Sequence, residues 1–397
     1  MNTLEASAAS QSETSRRSEI RTSSDGFVSK NFDPFFDFTT QFVHPHYIFY
    51  LVYVILLTIQ IIYVSMWLHS TTFWIKINEA KDGHSFCDFA KIIHYVAPLS
   101  PVYKTPDDYL IPFVIFTIVV VFLIVIIAFQ LLFYKTQRRF SKISLYPTRI
   151  CIELIIPIML VPIAHITGHS FFEVVENDVS GSPQMYAYFV VSLIEYIVCI
   201  AIFFYSSSII GVSAYISPSP IAVFDHRPYI YIILSTSLFT IFETCFLIFP
   251  DWVIHPFIVF HIIFGVVIAY LLTFQPFISA RWNCYFLGIE IFAVLLDVLK
   301  LASNFFDFEK IFKDKKNGNT TILIINLVVF FVLLIAAFTA AIIYSYRRFK
   351  RLKKILSAVP EGEEGESGDK GNDKITEEER IEVFMKLKLD HSESRAL

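Results

Sequence analysis

Thr320–Leu356 reads TTILIINLVVFFVLLIAAFTAAIIYSYRRFKRLKKIL, and its two halves decide the fold. From Thr320 to Tyr346 no residue is charged, whereas Arg347 to Lys354 places six Lys or Arg in eight positions. No Pro or Gly interrupts before Pro360, so one continuous helix is expected. At about 1.5 Å per residue the apolar part runs roughly 40 Å, longer than the ~30 Å hydrocarbon core of a bilayer. The basic end marks the cytoplasmic side. Arg347, Arg348, Lys350, Arg351, Lys353 and Lys354 are expected to hold anionic lipid there, at about 1 kcal/mol per residue.

Composition extends this reading to the whole chain. Of 397 residues, 55% are hydrophobic and only 17% charged, with 42 Phe; soluble domains carry about 25% charged residues. The expected fold is all-α, a polytopic membrane protein built as a bundle of about eight transmembrane helices in the lipid bilayer. The net charge of −4 selects no partner, because acids and bases are segregated by region, and nucleic acid is not expected as one. Four of the five Cys lie in or beside apolar spans, so no disulfide framework is read. The first apolar run starts near Tyr47, after a long polar segment, and serves as its own insertion signal.

Residues 1–46 comprise a Ser-rich tail, expected to be disordered, and an aromatic segment, Asn31–Val43, suited to the headgroup region. Eight runs within 47–346 are long enough to span: Tyr47–Leu68, Tyr109–Tyr134, Thr148–Gly168, Met185–Ile210, Tyr229–Phe249, Trp252–Phe274, Trp282–Ala302 and Thr320–Tyr346. The seventh is the weakest, since Glu290 and Asp297 lie in it. Loop charges support the count. The second connection carries Lys135, Arg138, Arg139 and Lys142 and no acid; the third carries Glu173, Glu176 and Asp178 and no base. With both termini cytoplasmic, the short basic loops face inward, and dropping the seventh span would strand one basic group outside. The plasma membrane is the expected location.

The long outer connection after the first span holds an amphipathic stretch, Phe86–Val96, and a Pro-rich run. The sequon Asn319-Thr320-Thr321 abuts the eighth span and is expected to stay unused. Past the basic extension (347–359) comes an acidic Gly-rich linker (360–374), then an amphipathic helix (375–397). Ile381, Phe384 and Met385 share a face of that helix, which begins a further domain or rests on membrane or partner.

Ionisable groups inside a bilayer are costly and mark function by default. Here they include His165, His169 and Glu173, four apart on one face of span three, and Glu195 in span four. Glu243 lies in span five, His255 and His261 in span six, and Glu290 and Asp297 in span seven. By depth, several of these fall in the outer half of the bundle, where they would line a pocket for a proton, a cation or a small ligand. The competing reading gives them separate structural roles, with Glu153 pairing Arg149 near the inner surface and Asp297 pairing Lys300. A metal needs three or four converging ligands, and neither a metal nor another cofactor is expected. Ala336/Ala340, Ala337/Ala341, Gly265/Ala269 and Ala164/Gly168 favour close packing, within the bundle or in a homodimer through the last helix.

No phosphate-cradling loop, metalloprotease motif or nucleophile elbow occurs, so no catalytic residue is assigned. Asp225-His226-Arg227 reads as a cytoplasmic turn. The order of parts is a Ser-rich head, a Phe35-Phe36-Asp37-Phe38 entry, apolar spans and a basic exit helix leading to Phe384-Met385-Lys386-Leu387-Lys388-Leu389-Asp390. This layout resembles the transmembrane N-terminal region of large protozoan, trichomonad-like receptor-type adenylyl and guanylyl cyclases. The resemblance implies a cytoplasmic helical region and a class III cyclase domain beyond Leu397, and no cyclase activity in the residues present. Two functions from different classes compete. One is a membrane sensor or anchor module whose last helix drives a cytoplasmic output. The other is a proton- or cation-coupled secondary transporter using the buried acids and His. A bundle without a ligand of its own is the third reading.

Overall fold

In hydrocarbon, backbone N–H and C=O groups have only each other as partners, and apolar runs of this length answer with helices. The computed structural model describes residues 45–67, 93, 96–99, 109–137, 142–177, 183–212, 223, 225–245, 251–277, 280–305 and 318–358. Its helices are α1 (Tyr47–Trp67), α2 (Leu110–Gln137), α3 (Lys142–Ile150), α4 (Ile156–Asn177), α5 (Pro183–Val212), α6 (Arg227–Cys245), α7 (Asp251–Leu272), α8 (Ala280–Phe305) and α9 (Gly318–Ala358). A π-helical turn, Cys151–Ile155, joins α3 to α4. Among the described residues no strand occurs; one bridge pairs Val223 with Phe277.

Seven of the spans are long and apolar enough to cross a membrane. α8 has 26 residues and carries Arg281, Glu290, Asp297 and Lys300. It nevertheless runs inside the bundle, packed on α7, α9 and α1, with Phe286, Ile289, Phe292 and Leu296 buried. The chain is therefore the all-α multi-pass bundle its composition implies. α9 runs unbroken for 41 residues, through the uncharged part into the basic part.

The third span differs from the sequence boundaries, continuing to Asn177. Pro157 lacks the N–H that the Glu153 carbonyl would accept, and its ring crowds that carbonyl. The chain answers by widening one turn: the Ile156 N–H reaches back to the Cys151 carbonyl, five residues away. The helix then continues through Pro162 to Asn177, so neither proline ends the span.

Burial is uneven. The window from Ser144 to Val175 is 83% buried, against 17% for the window in α9. α4 thus forms the centre, with α5 and α6 against it. α9 lies at the rim: Ala337 and Ala341 are buried while Val328, Val332 and Ile335 are exposed. The connection after α1 folds back onto the bundle, where Gln60 Nε2 donates to the Ala97 carbonyl (3.2 Å) and the Ile158 carbonyl (2.9 Å). At the start of α6 the Asp225 carboxylate accepts the Arg227 backbone N–H at 3.0 Å, so the expected turn leads directly into the helix. Residues 1–44, most of Phe86–Val96, the acidic linker, the expected helix at 375–397 and the side chains of Lys353 and Lys354 lie outside the described residues.

Candidate functional site

At the distal end of the bundle α1, α6 and α8 finish and α7 and α9 start; the basic end of α9 is proximal. α8 carries Asp297 and Lys300 three residues apart, on one face, and each is only 1% exposed. Ser65 of α1 meets both: its hydroxyl donates to Asp297 Oδ2 (3.4 Å), and its carbonyl accepts from Lys300 Nζ (3.5 Å). His261 Nδ1 of α7 lies 2.8 Å from Asp297 Oδ2. Phe239 of α6 packs on the imidazole, with ring centroids 4.1 Å apart.

Glu243 of α6 completes the group. It interacts with the Lys300 ammonium and with the Tyr63 hydroxyl of α1. The Lys300 ammonium thus lies in the electrostatic field of two carboxyl groups, Asp297 on its own helix and Glu243 on α6. Glu290 lies two turns proximal on α8, buried, and faces Gly265 of α7: a methyl group there would stand 3.4 Å from Glu290 Oε1. The oxygens Glu243 Oε2 and Asp297 Oδ1 have no hydrogen-bond partner among the described residues. Removing ions from water costs several kcal/mol each, offset only by close partners. The arrangement therefore has strong but incomplete internal compensation.

The remaining candidates fall elsewhere. His165 and His169 of α4 approach each other, with ring centroids 6.1 Å apart. The Tyr109 hydroxyl bonds His169 Nδ1 at 2.5 Å, and Tyr109 stacks on Tyr188 of α5. Glu173, one turn on, is half-buried. Glu195 of α5 is buried and faces Thr117 of α2. His255 is half-buried near the start of α7. The structure thus brings Glu243, His261 and Asp297 together with Glu290 nearby, and places His165 with His169 beside Tyr109. Among the described residues no three His, Cys, Asp or Glu side chains are grouped to hold a metal ion.

Sequence reasoning undervalued Lys300, and passed over Ser65 and Tyr63. An Asp and a Lys one turn apart in an apolar run was the available signal for Lys300. Nothing in the sequence of α1 marks Tyr63 and Ser65, whose role depends on how that helix is rotated in the bundle.

A second buried group lies proximally. Arg149 Nε bonds Glu153 Oε2 at 2.8 Å, with the two side chains 3% and 6% exposed. The expected pair forms, but in the interior and not as a surface anchor. The π-helical turn contains Glu153, whose Oε2 also accepts the Tyr50 hydroxyl at 3.1 Å. Tyr53 and Tyr229 share a hydrogen bond beside it. Arg149→Met should lower stability by about 3–5 kcal/mol, because it leaves a buried carboxylate without its cation. Tyr50→Phe should cost about 1–3 kcal/mol. Thermal unfolding of the two variants in detergent checks the order.

At the basic end, the Arg348 guanidinium lies 5.7 Å from the Phe274 ring centroid, and the Tyr344 hydroxyl donates to the Thr273 carbonyl (3.4 Å). Arg347, Lys350 and Arg351 are exposed. Comparison with protein-family models, with characterised proteins and with solved structures finds no match. Fold and site together define a class: a multi-pass, all-α integral membrane protein that encloses a charged network between four helices.

Proposed function

We propose that this chain is the membrane sensor and anchor module of a signalling protein. The buried network sets how α8 packs on α9, and α9 carries that packing to its basic extension. One observation carries this reading: the helix that holds Glu290, Asp297 and Lys300 is also the helix that seats α9. Along the seam Gly288 admits Phe338, whose ring would stand 3.0 Å from a methyl group at that position. Phe292 meets Phe330 edge-on at 5.0 Å, and the Cys284 thiol bonds Ser345. Packed seams of this kind switch between discrete arrangements and do not deform smoothly.

In this reading the basic end of α9 is cytoplasmic, both termini lie there, and the membrane is the plasma membrane. Arg347, Lys350 and Arg351 then face anionic headgroups. The exposed Ala336/Ala340 side of α9 supports a homodimer contact. The output is a cytoplasmic domain of the kind the resemblance to receptor-type cyclases implies.

Ser345→Cys tests the coupling, because the new thiol stands opposite the native Cys284. Mild oxidation should join the two within one chain. Adding Glu290→Gln should change the crosslinking rate severalfold. Equal rates in the two backgrounds would overturn the reading.

A specific observation favours a second reading, proton- or cation-coupled transport. The π-helical turn breaks the regular ladder of the central span beside the buried Arg149–Glu153 pair, and such turns recur at functional sites. That reading expects solute uptake by proteoliposomes that Glu195→Gln or Glu243→Gln abolishes.

A further inference from the structure

We infer that the distal network of Glu243, His261, Asp297 and Lys300 is a proton-binding site, with the Lys300 ammonium fixed on the Ser65 carbonyl as a nearby positive charge. The inference rests on the sensing reading for its consequence, and it names the ligand that reading leaves open.

The charge inventory is the first argument. Among the described residues the core of the site holds, with Glu290, three carboxyl groups against the Lys300 ammonium and the His261 imidazole, within four helices. Full ionisation of these groups leaves excess negative charge in a medium that tolerates little of it. A proton on one carboxyl group removes that excess.

Unsatisfied atoms locate the place. Glu243 Oε2 and Asp297 Oδ1 accept no hydrogen bond among the described residues, though their side chains are 5% and 1% exposed. A proton added to either carboxyl group cancels its charge and turns an idle acceptor into a donor.

The ligating groups select the ligand. Phe239 packs on the His261 ring, so one flank of the site is aromatic and offers no ligand. No set of three ligating side chains is arranged around a metal-sized centre among the described residues. A proton needs neither room nor a coordination shell.

Depth gives access. Ser65 lies two residues before the end of α1 at Trp67, and Glu243 two before the end of α6 at Cys245. Both sit within about one helical turn, or ~5 Å, of those helix ends, so Glu243 is the nearer entry point, whereas Asp297 lies eight residues before the end of α8 at Phe305. The groups facing the site are Tyr63 and Ser65 from α1, Glu243 from α6, His261 from α7 with His255 nearer its start, and Glu290, Asp297 and Lys300 from α8. α4 approaches α6 next to Glu243 with Gly168 against Thr244. α9 packs on the other side of α8 and contributes no charged residue before Arg347.

The step is a simple transfer. A hydronium ion from the distal aqueous side gives its proton to a carboxylate, leaving water behind, and no other bond changes. With the proton on Glu243, the pull of that carboxyl group on the Lys300 ammonium is gone while that of Asp297 remains. Without it, the ionised Glu243 of α6 also attracts the ammonium on α8.

Infrared difference spectroscopy of the purified chain in lipid nanodiscs, on acidification, reads the event directly. A carbonyl band of a protonated carboxyl group should appear. It should be lost in Glu243→Gln or in Asp297→Asn and kept in Glu290→Gln. Sodium or potassium chloride added at fixed pH should leave it unchanged. Persistence of the band in both variants would overturn the site, and so would its suppression by sodium, which would mean a metal cation competes there. Should a variant fail to fold, proton uptake counted with a pH dye on wild type and on His261→Gln supplies the second measurement. His261→Gln should change the amount taken up, and an identical count would oppose the proposal. A normal band with an unresponsive Cys284–S345C crosslink would leave the proton site standing and remove the sensing reading.

Discussion

Lys300→Met should lower the stability of the bundle by about 3–5 kcal/mol, the range for removing the cation that compensates buried carboxylates. The side chain is 1% exposed and faces Asp297 and Glu243, both buried. Methionine fills similar space, so the loss is electrostatic and not a cavity effect. The Ser65 carbonyl also loses a donor. Thermal unfolding with a thiol-reactive dye measures the change, because Cys151 and Cys199 are free and buried until the chain opens. Two controls isolate the cause. Lys300→Met combined with Asp297→Asn should recover part of the loss, since the second change removes one stranded charge. Acidification should narrow the gap between Lys300→Met and wild type, because protonating the stranded carboxylates removes the same charge. If Lys300→Met is as stable as wild type at neutral pH, the ammonium is not what compensates Asp297 and Glu243.

The spans were legible because a bilayer imposes length and polarity on any helix that crosses it. Even α8, with its four charges, could be placed, since removing it would strand either Arg138 and Arg139 or the Arg347–Lys354 block on the wrong side. The partners of its charges could not be placed. Whether Ser65 and Tyr63 face Asp297 and Glu243 depends on how α1 is rotated against α6 and α8, and α1 carries no charge to set that rotation. Arg149 and Glu153 illustrate the same boundary. Their i,i+4 spacing announces a pair, but its burial follows from the π-helical turn and from Tyr50 on a helix a hundred residues away. Pro157 foretold a disturbance without saying which kind. His165 and His169 were visible as a face, whereas their neighbour Tyr109 sits just before α2 and announces nothing by spacing.

Gly168→Ala should produce the other large effect, and through packing alone. A methyl group at Gly168 would stand 1.7 Å from Thr244 Oγ1 and 2.7 Å from the Ile241 carbonyl oxygen. The first contact is a side chain, but the Thr244 hydroxyl is committed to the Thr240 and Ile241 carbonyls at 3.0 and 2.9 Å. The second contact is backbone and cannot rotate away. α4 and α6 must therefore separate along the seam where small residues let them approach, at about 1–3 kcal/mol for overpacking of this kind. Gly168→Ala with Thr244→Ala should recover only part of the loss, since the Ile241 carbonyl stays where it is. Gly265→Ala makes the comparison: its nearest neighbour is Val294 Cγ2 at 2.7 Å, a side-chain methyl that can turn, so a smaller loss is expected. Glu243 immediately precedes Thr244, so a displaced α6 also carries its carboxyl group away from Lys300. Gly168→Ala should accordingly weaken the protonated-carboxyl infrared band along with stability, while Gly265→Ala should keep the Glu243 contribution to it. Full retention of stability in Gly168→Ala would mean that α4 and α6 do not touch at this glycine.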